Sequence, residues 1–445
     1  TNLQDKRLEA KDFDALLIQD PIQELLIWLD QAHSGQGQWE TNRWETFCEH
    51  CQKEFDFHPE KDGVLAAAEK LIQAKGAWEK VWDRFQESWR RYPHIPALLE
   101  KTKKPYELPG MSKHPAENRK AEDSLRLELA ALSGKSEAEA VKIIQRLEKQ
   151  HAYRRNWLWA EMGRAPLVQA LGYLAELVDV IQEPFGSQRV QDLGTLYSES
   201  LWRADSMALQ AYGAVQQAKD QEVLEAALHS VYLPWLKKLN EQFQALVKQQ
   251  GYPGSFSVHE EHAAYATEGE CWLFVDGLRL DIAYQLEENL KSLGLGITMS
   301  TRWTALPSVT ATGKVAVSPV ATMATGEKRN KDFVPVMNQD KAPLDSTRFR
   351  RLLRESGWQI IDHSDFGDPN GRGWAEAGNL DHFGHTNEKR LARDIPNQLQ
   401  FVSESLQQLI DAGWKKVRVV TDHGWLFMPA GLPKAELSSH MTETK

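Results

Sequence analysis

The sequence predicts a large all-α region over residues 1–250, followed by an α/β core over 251–445 with a mostly parallel sheet flanked by helices. Three observations predict it. Apolar residues recur at helical spacing through most of the first part. After Gly251, short apolar runs alternate with helical stretches, as in a sheet with helices across its faces. Carboxylates and imidazoles then fall at the ends of those runs, where open α/β sheets build their sites. A chain of 445 residues also exceeds one ordinary core, so two or more domains are expected.

In the first part, Leu65, Ala68, Leu71, Ile72, Trp78, Val81, Trp82, Phe85 and Trp89 form one apolar stripe, weakened at Lys75 and Gly76. Pro93, Pro96, Pro105, Pro109 and Pro115, mixed with Lys and Arg, read as a basic linker near 93–121. Helical spacing resumes with Leu125, Leu127, Leu129 and Leu132. Ser136 with Glu139 three residues on forms a capping-box signature. Further helices are expected over 166–184, 196–219 and 221–249, with Pro184 and Gly186 separating two of them. These Trp and Leu stripes read as the core of a scaffold.

Gly251-Tyr-Pro-Gly254 marks the change of texture. Strands are expected at 271–275, 296–305, 358–361 and 417–421. Helices are expected at 278–293, 309–321, 346–356 and 388–412.

The net charge of −10 argues against a generally basic nucleic-acid coat, although a local basic patch can still meet an anion. The 3 Cys make no disulfide framework and point to a reducing compartment. No apolar run of about 18 residues suggests a membrane span, and residues 1–10 do not resemble a signal peptide.

Asp276 ends the first strand of the core, and Asp422-His423 ends the 417–421 strand. Each alone has a bland explanation, because turns favour Asp and Gly. Asp381 and His385 add a carboxylate and an imidazole four residues apart, on one face of a helix, where they can share a metal ion. Ser308, Thr310 and Thr312 place hydroxyls between a strand and a helix, as N-caps or as a nucleophile activated by a cation. Lys314 and Arg279 are the nearest cations in sequence to these groups, suited either to a phosphate oxygen or to surface solvation.

The order strand-Asp, Thr at a helix start, Asp-x-x-x-His, strand-Asp-His-Gly resembles the alkaline-phosphatase superfamily. The wording FVDGLRLDIA (274–283), TALPSVTATGK (304–314) and VVTDHGWLFMPAGLPK (419–434) is similar to its PglZ domains. The resemblance covers 271–445; ahead of that it rests on general helical character. It implies an alkaline-phosphatase-like core whose sheet continues past residue 445. It also implies two divalent metal ions, zinc with manganese or magnesium as alternatives. Asp276, Thr310, Asp422 and His423 would hold one ion, with Thr310, three residues after Pro307, as nucleophile. Asp381 and His385 would hold the other, with His440, the sole His after His423, as third ligand. The implied activity is phosphodiester or phosphomonoester hydrolysis, nuclease-like, in bacterial phage defence alongside other BREX proteins, on DNA or a nucleotide. The competing reading is a metal- or nucleotide-binding scaffold without turnover.

Other candidates carry less. Cys48-Glu49-His50-Cys51 lacks the second ligand pair of a zinc ribbon, and His259 and His262 do not match a zincin helix. Asp362, His363, Asp365 and Asp368 read as a turn-rich connection.

Overall fold

The computed structural model describes residues 18–32, 39–102, 114–254, 256, 267–326, 333–362, 365–378, 380–387, 390–429 and 431. The chain forms two compact units. One comprises the described residues up to Leu127 together with Tyr153–Val168, and the other Glu128–Ala152 with Gln169 onward. The units therefore part well ahead of the division at 250 that the change in texture suggests. The helices between 169 and 250 belong to the same unit as the sheet.

The first unit is helical, and its aromatic residues are its core. The helices Pro21–Gln31, Thr41–Phe55, Pro59–Gln73 and Ala77–Ser88 bury Leu25, Leu29, Phe47, Leu71, Trp78, Trp82 and Phe85 together. The expected stripe is interrupted where Ala74 and Gly76 take positive φ, and Leu65 falls outside it, 49% exposed. Cys48 and Cys51 are both buried, Cys51 within this core. Burial pushes the Cys48 thiol up to about 11 and the Cys51 thiol higher still, as for inert core cysteines. Arg154, with no exposed surface, is met by Glu122 at 2.6 Å and by Asn118.

The expected basic linker is a correction. Residues 103–113 lie outside the described residues, but Ile95–Leu99 and Pro115–Ala130 are helices. Pro96 and Pro115 sit in the first turns of these helices, where a missing N–H costs nothing, so prolines that look like breakers are starters.

In the second unit, Glu137–His151 carries the expected capping box, with the Ser136 N–H donating to Glu139 at 3.1 Å. The helices Pro166–Ile181, Val190–Leu196, Trp202–Gly213 and Ala218–Gln250 follow, with a π-helical turn at Tyr197–Leu201. Trp202–Gly213 packs on the core helices Leu280–Ser292 and Leu391–Asp411. Trp202 stacks on Tyr284 at 4.4 Å, and Gly213 approaches so closely that a Cβ would lie 2.8 Å from the Ala392 carbonyl oxygen.

The sheet has strands β1 (Glu270–Phe274), β4 (Gln359–Ile360), β5 (Arg372–Glu376) and β6 (Lys416–Val420) in the order β4-β5-β1-β6, all parallel. A separate antiparallel pair joins β2 (Ala324–Thr325) to β3 (Val336–Met337). A helical part and an α/β part with a small parallel sheet are thus present. All five residues of β1 are buried, as expected of a central parallel strand. Phe274 stacks on Trp374, and both pack with Val315, Phe349 and Trp358.

One strand expectation fails. No strand forms at 296–305 among the described residues; Trp303 instead stacks on Phe243 at 5.8 Å, and Tyr252 donates to the Thr304 carbonyl. Conversely, β5 was not expected. Its sequence, RGWAE, has no apolar run; it lies between β4 and β1, and its Trp374 packs on Phe274 and Phe349.

Candidate functional site

The register places the site. Phe274 of β1 lies opposite Val420 of β6, and the Val275 N–H donates to the Val420 carbonyl at 2.9 Å. The residues that follow, Asp276 and Asp422, therefore leave adjacent parallel strands at the same carboxyl edge. The two strand ends are stitched together. The Gly277 N–H donates to Asp422 Oδ1 at 3.2 Å, and the Leu278 N–H to Thr421 Oγ1 at 3.0 Å. Gly277 takes φ of 65°, and a Cβ there would lie 3.0 Å from the Asp381 Cβ. Glycine thus admits both the left-handed turn and the approach of Asp381. On the other side, a Cβ on Gly313 would lie 2.7 Å from the Asp422 Cβ.

Thr310, at the start of the helix Thr310–Ala316, has its Oγ1 3.1 Å from His423 Nε2 and 3.3 Å from Asp276 Oδ1. His423 Nδ1 lies 3.1 Å from the Gly424 carbonyl, an acceptor for a proton on Nδ1. His423 Nε2 is 3.6 Å from both Asp276 Oδ1 and Asp422 Oδ2. Asp276, Asp381 and His423 each present a ligand atom within 4.8 Å of the others. Asp422 is buried; its Oδ1 accepts from Gly277 and His423 backbone N–H groups, while its Oδ2 has no hydrogen-bond partner.

Burial, with the carboxylates of Asp422 and Asp381 nearby, pushes Asp276 up to about 6. Burial also raises Asp422, against the lowering effect of His423 and of the backbone N–H groups it accepts. Three carboxylates converging on one imidazole form a site in need of positive charge. The mixed oxygen and imidazole donors of Asp276, Asp381 and His423 could together hold a divalent cation.

Thr312 Oγ1 is buried and donates to the Phe333 carbonyl at 2.8 Å, and Ser308 is exposed. Of the three hydroxyls, Thr310 meets the acidic site. Asp381 stands with Asp276 and His423, not only with His385. His385 Nε2 lies 3.4 Å from Asp381 Oδ2 but is 78% exposed. His440 lies outside the described residues.

Both expected phosphate-binding cations are engaged elsewhere. Arg279 is buried, forking onto Asp281 through Nε to Oδ1 at 2.6 Å and Nη2 to Oδ2 at 2.7 Å. Lys314 Nζ is 2.7 Å from Glu376 Oε2 and lies over the Phe274 ring. Proximity in sequence placed these cations near the nucleophile, whereas local carboxylates take up their charge. Sequence reasoning also passed over Trp425, whose Nε1 donates to the Gly277 carbonyl at 2.9 Å; its place two residues after His423 was the available signal.

Fold and site together describe a helical and α/β protein with a compact acidic and imidazole cluster beside a hydroxyl, at the carboxyl edge of a parallel sheet. No family model, curated protein or solved structure matches the chain. Among the described residues no helix is long and apolar enough to cross a membrane.

Proposed function

We propose that the chain is a metal-dependent phosphoric ester hydrolase with an alkaline-phosphatase-like core and Thr310 as its nucleophile. The observation that carries this reading is the placement of Thr310 Oγ1 within 3.3 Å of both Asp276 and His423, in the cluster where Asp422 Oδ2 has no partner. Asp276, Asp381, Asp422 and His423 would hold divalent cations, zinc, manganese or magnesium, with His385 and His440 as further ligands. Such ions lower the pKa of a bound hydroxyl and neutralise charge on phosphate oxygens.

The residues themselves do the rest. The start of the Thr310–Ala316 helix fixes the hydroxyl at the mouth of the cluster. Asp276 and His423 orient it through its hydrogen bonds. Thr310 Oγ then attacks phosphorus as the ester P–O bond breaks. The alcohol departs with a proton, and water cleaves the phosphothreonine to return the hydroxyl. The motif resemblance supports a setting in bacterial phage defence, in the cytoplasm with other BREX proteins and with DNA or a nucleotide as substrate.

The test is metal content together with hydrolysis of bis-p-nitrophenyl phosphate and p-nitrophenyl phosphate. Thr310→Ala is expected to keep its metal and lose turnover by roughly three orders of magnitude or more. Asp422→Ala is expected to lose both. The preferred ester separates diesterase from monoesterase. Metal binding without turnover of either ester by the wild type would replace this reading with the scaffold. A wild type that binds no metal would sink both.

A further inference from the structure

Buried charges that the proposed chemistry does not use adjoin the Asp-His-Gly turn. Asp205, on the helix Trp202–Gly213, is buried and accepts from the hydroxyls of Tyr197, at 2.5 Å, and Tyr232. Tyr197 opens the π-helical turn Tyr197–Leu201, and the Ser198 carbonyl in that turn accepts from Tyr284 at 2.7 Å. Such turns are uncommon and frequently accompany function. The Asp205 backbone carbonyl in turn accepts from Arg279 Nη2 at 3.3 Å. Arg279 is locked by its fork onto Asp281, and its guanidinium lies 4.2 Å from the centroid of the Trp425 ring. A Cβ on Gly424 would lie 3.3 Å from the Arg279 Cγ, so the Asp-His-Gly turn sits directly on this side chain. Trp425 Nε1 then grips the Gly277 carbonyl, and the Gly277 N–H holds Asp422.

Building on the proposed hydrolase site, we propose that Arg279 and Trp425 are positioning residues that transmit the fixed geometry of the Asp205–Tyr197–Tyr232 cluster to the two ligand-bearing turns. Neither residue touches the reacting atoms. Arg279 supplies a rigid cationic platform under the indole, and the indole N–H ties the turn after Asp276 to the turn that carries Asp422 and His423. Without that tie, only the hydrogen bonds from Gly277 and Leu278 join the two turns. Groups that orient metal ligands from outside the coordination shell commonly set affinity by about 10- to 100-fold.

The sharpest variant is Trp425→Phe. It keeps an aromatic ring over Arg279 and removes only the donor to Gly277. Mn2+ affinity by calorimetry, ester turnover and thermal midpoint are measured on the full chain. The expected result is Mn2+ binding weaker by roughly tenfold with the midpoint little changed. Arg279→Lys, which retains the charge but loses the fork and the planar stack, is expected to weaken Mn2+ similarly at a larger cost in midpoint. Wild-type Mn2+ affinity in Trp425→Phe would overturn the positioning role while leaving the proposed function intact. A lower midpoint with unchanged affinity would do the same, because it marks a purely structural tie. A wild type that binds no Mn2+ would overturn both.

Discussion

Charge is buried in both units of this molecule, with opposite outcomes. In the helical unit, Arg154 is enclosed beside Glu122 at 2.6 Å, and the other oxygen of Glu122 accepts the Leu167 N–H at 2.8 Å. Opposite charges meet there, and one backbone donor adds to the pair. At the carboxyl edge of the sheet, Asp276, Asp381 and Asp422 converge on His423, and one buried carboxylate oxygen is left without a partner. Like charges held together strain a fold that could relieve them by substitution. The difference teaches which buried charge is an anchor and which is a site. The anchor joins opposite charges within the chain, whereas the candidate site gathers like charges around one imidazole.

The comparison breaks most readily through mutation of one member on each side. Glu122→Gln leaves Arg154 enclosed without its counter-charge and should cost about 3–5 kcal/mol in chemical unfolding. Asp422→Asn in metal-free protein should cost nothing or stabilise, because it removes a desolvated negative charge. Equal losses at the two positions would mean that Asp422 is an anchor like Glu122.

A smaller effect follows from pH. Asp276 sits at about 6 in the folded protein, above the ordinary carboxylate value of 3.8. The folded state therefore binds this proton more tightly than the unfolded one. Its contribution is fully present below pH 4 and is lost as pH rises through 6, at most roughly 2 kcal/mol after allowance for solvent. Thermal midpoints of EDTA-treated protein should show this component falling between pH 4 and 6, and Asp276→Asn should remove it. Saturating Mn2+ should reverse the trend, since binding to the native state alone adds about 2.7 kcal/mol at a hundredfold excess over Kd.

The smallest effect on stability is expected at His385, 78% exposed beside Asp381. His385→Ala should change unfolding by no more than about 0.5 kcal/mol. Metal stoichiometry should nonetheless fall from two to one. Unchanged stoichiometry would leave His385 a solvated neighbour of Asp381 and return the second ion to other ligands.

Much of the site was legible in the chain. A strand ending in Asp276, a hydroxyl at a helix start and a strand ending in Asp422-His423 are local patterns, and local patterns survive because strand and helix periodicity are written in neighbouring residues. The Ser136–Glu139 cap and the 346–356 and 388–412 helices were equally plain, appearing as Ser346–Glu355 and Leu391–Asp411. What tertiary structure decided was the choice of partners. It put the Thr310 hydroxyl beside Asp276 and His423 and turned Thr312 to the Phe333 carbonyl, brought Asp381 to Asp276 and His423, and set RGWAE between two other strands. It also turned Arg279 and Lys314 from candidate phosphate ligands into the partners of Asp281 and Glu376. The physical reason is range. Periodicity and capping act over a few residues, whereas the environment of a charge depends on groups brought near it by folding, and in this chain Thr310 and His423 meet across 113 positions.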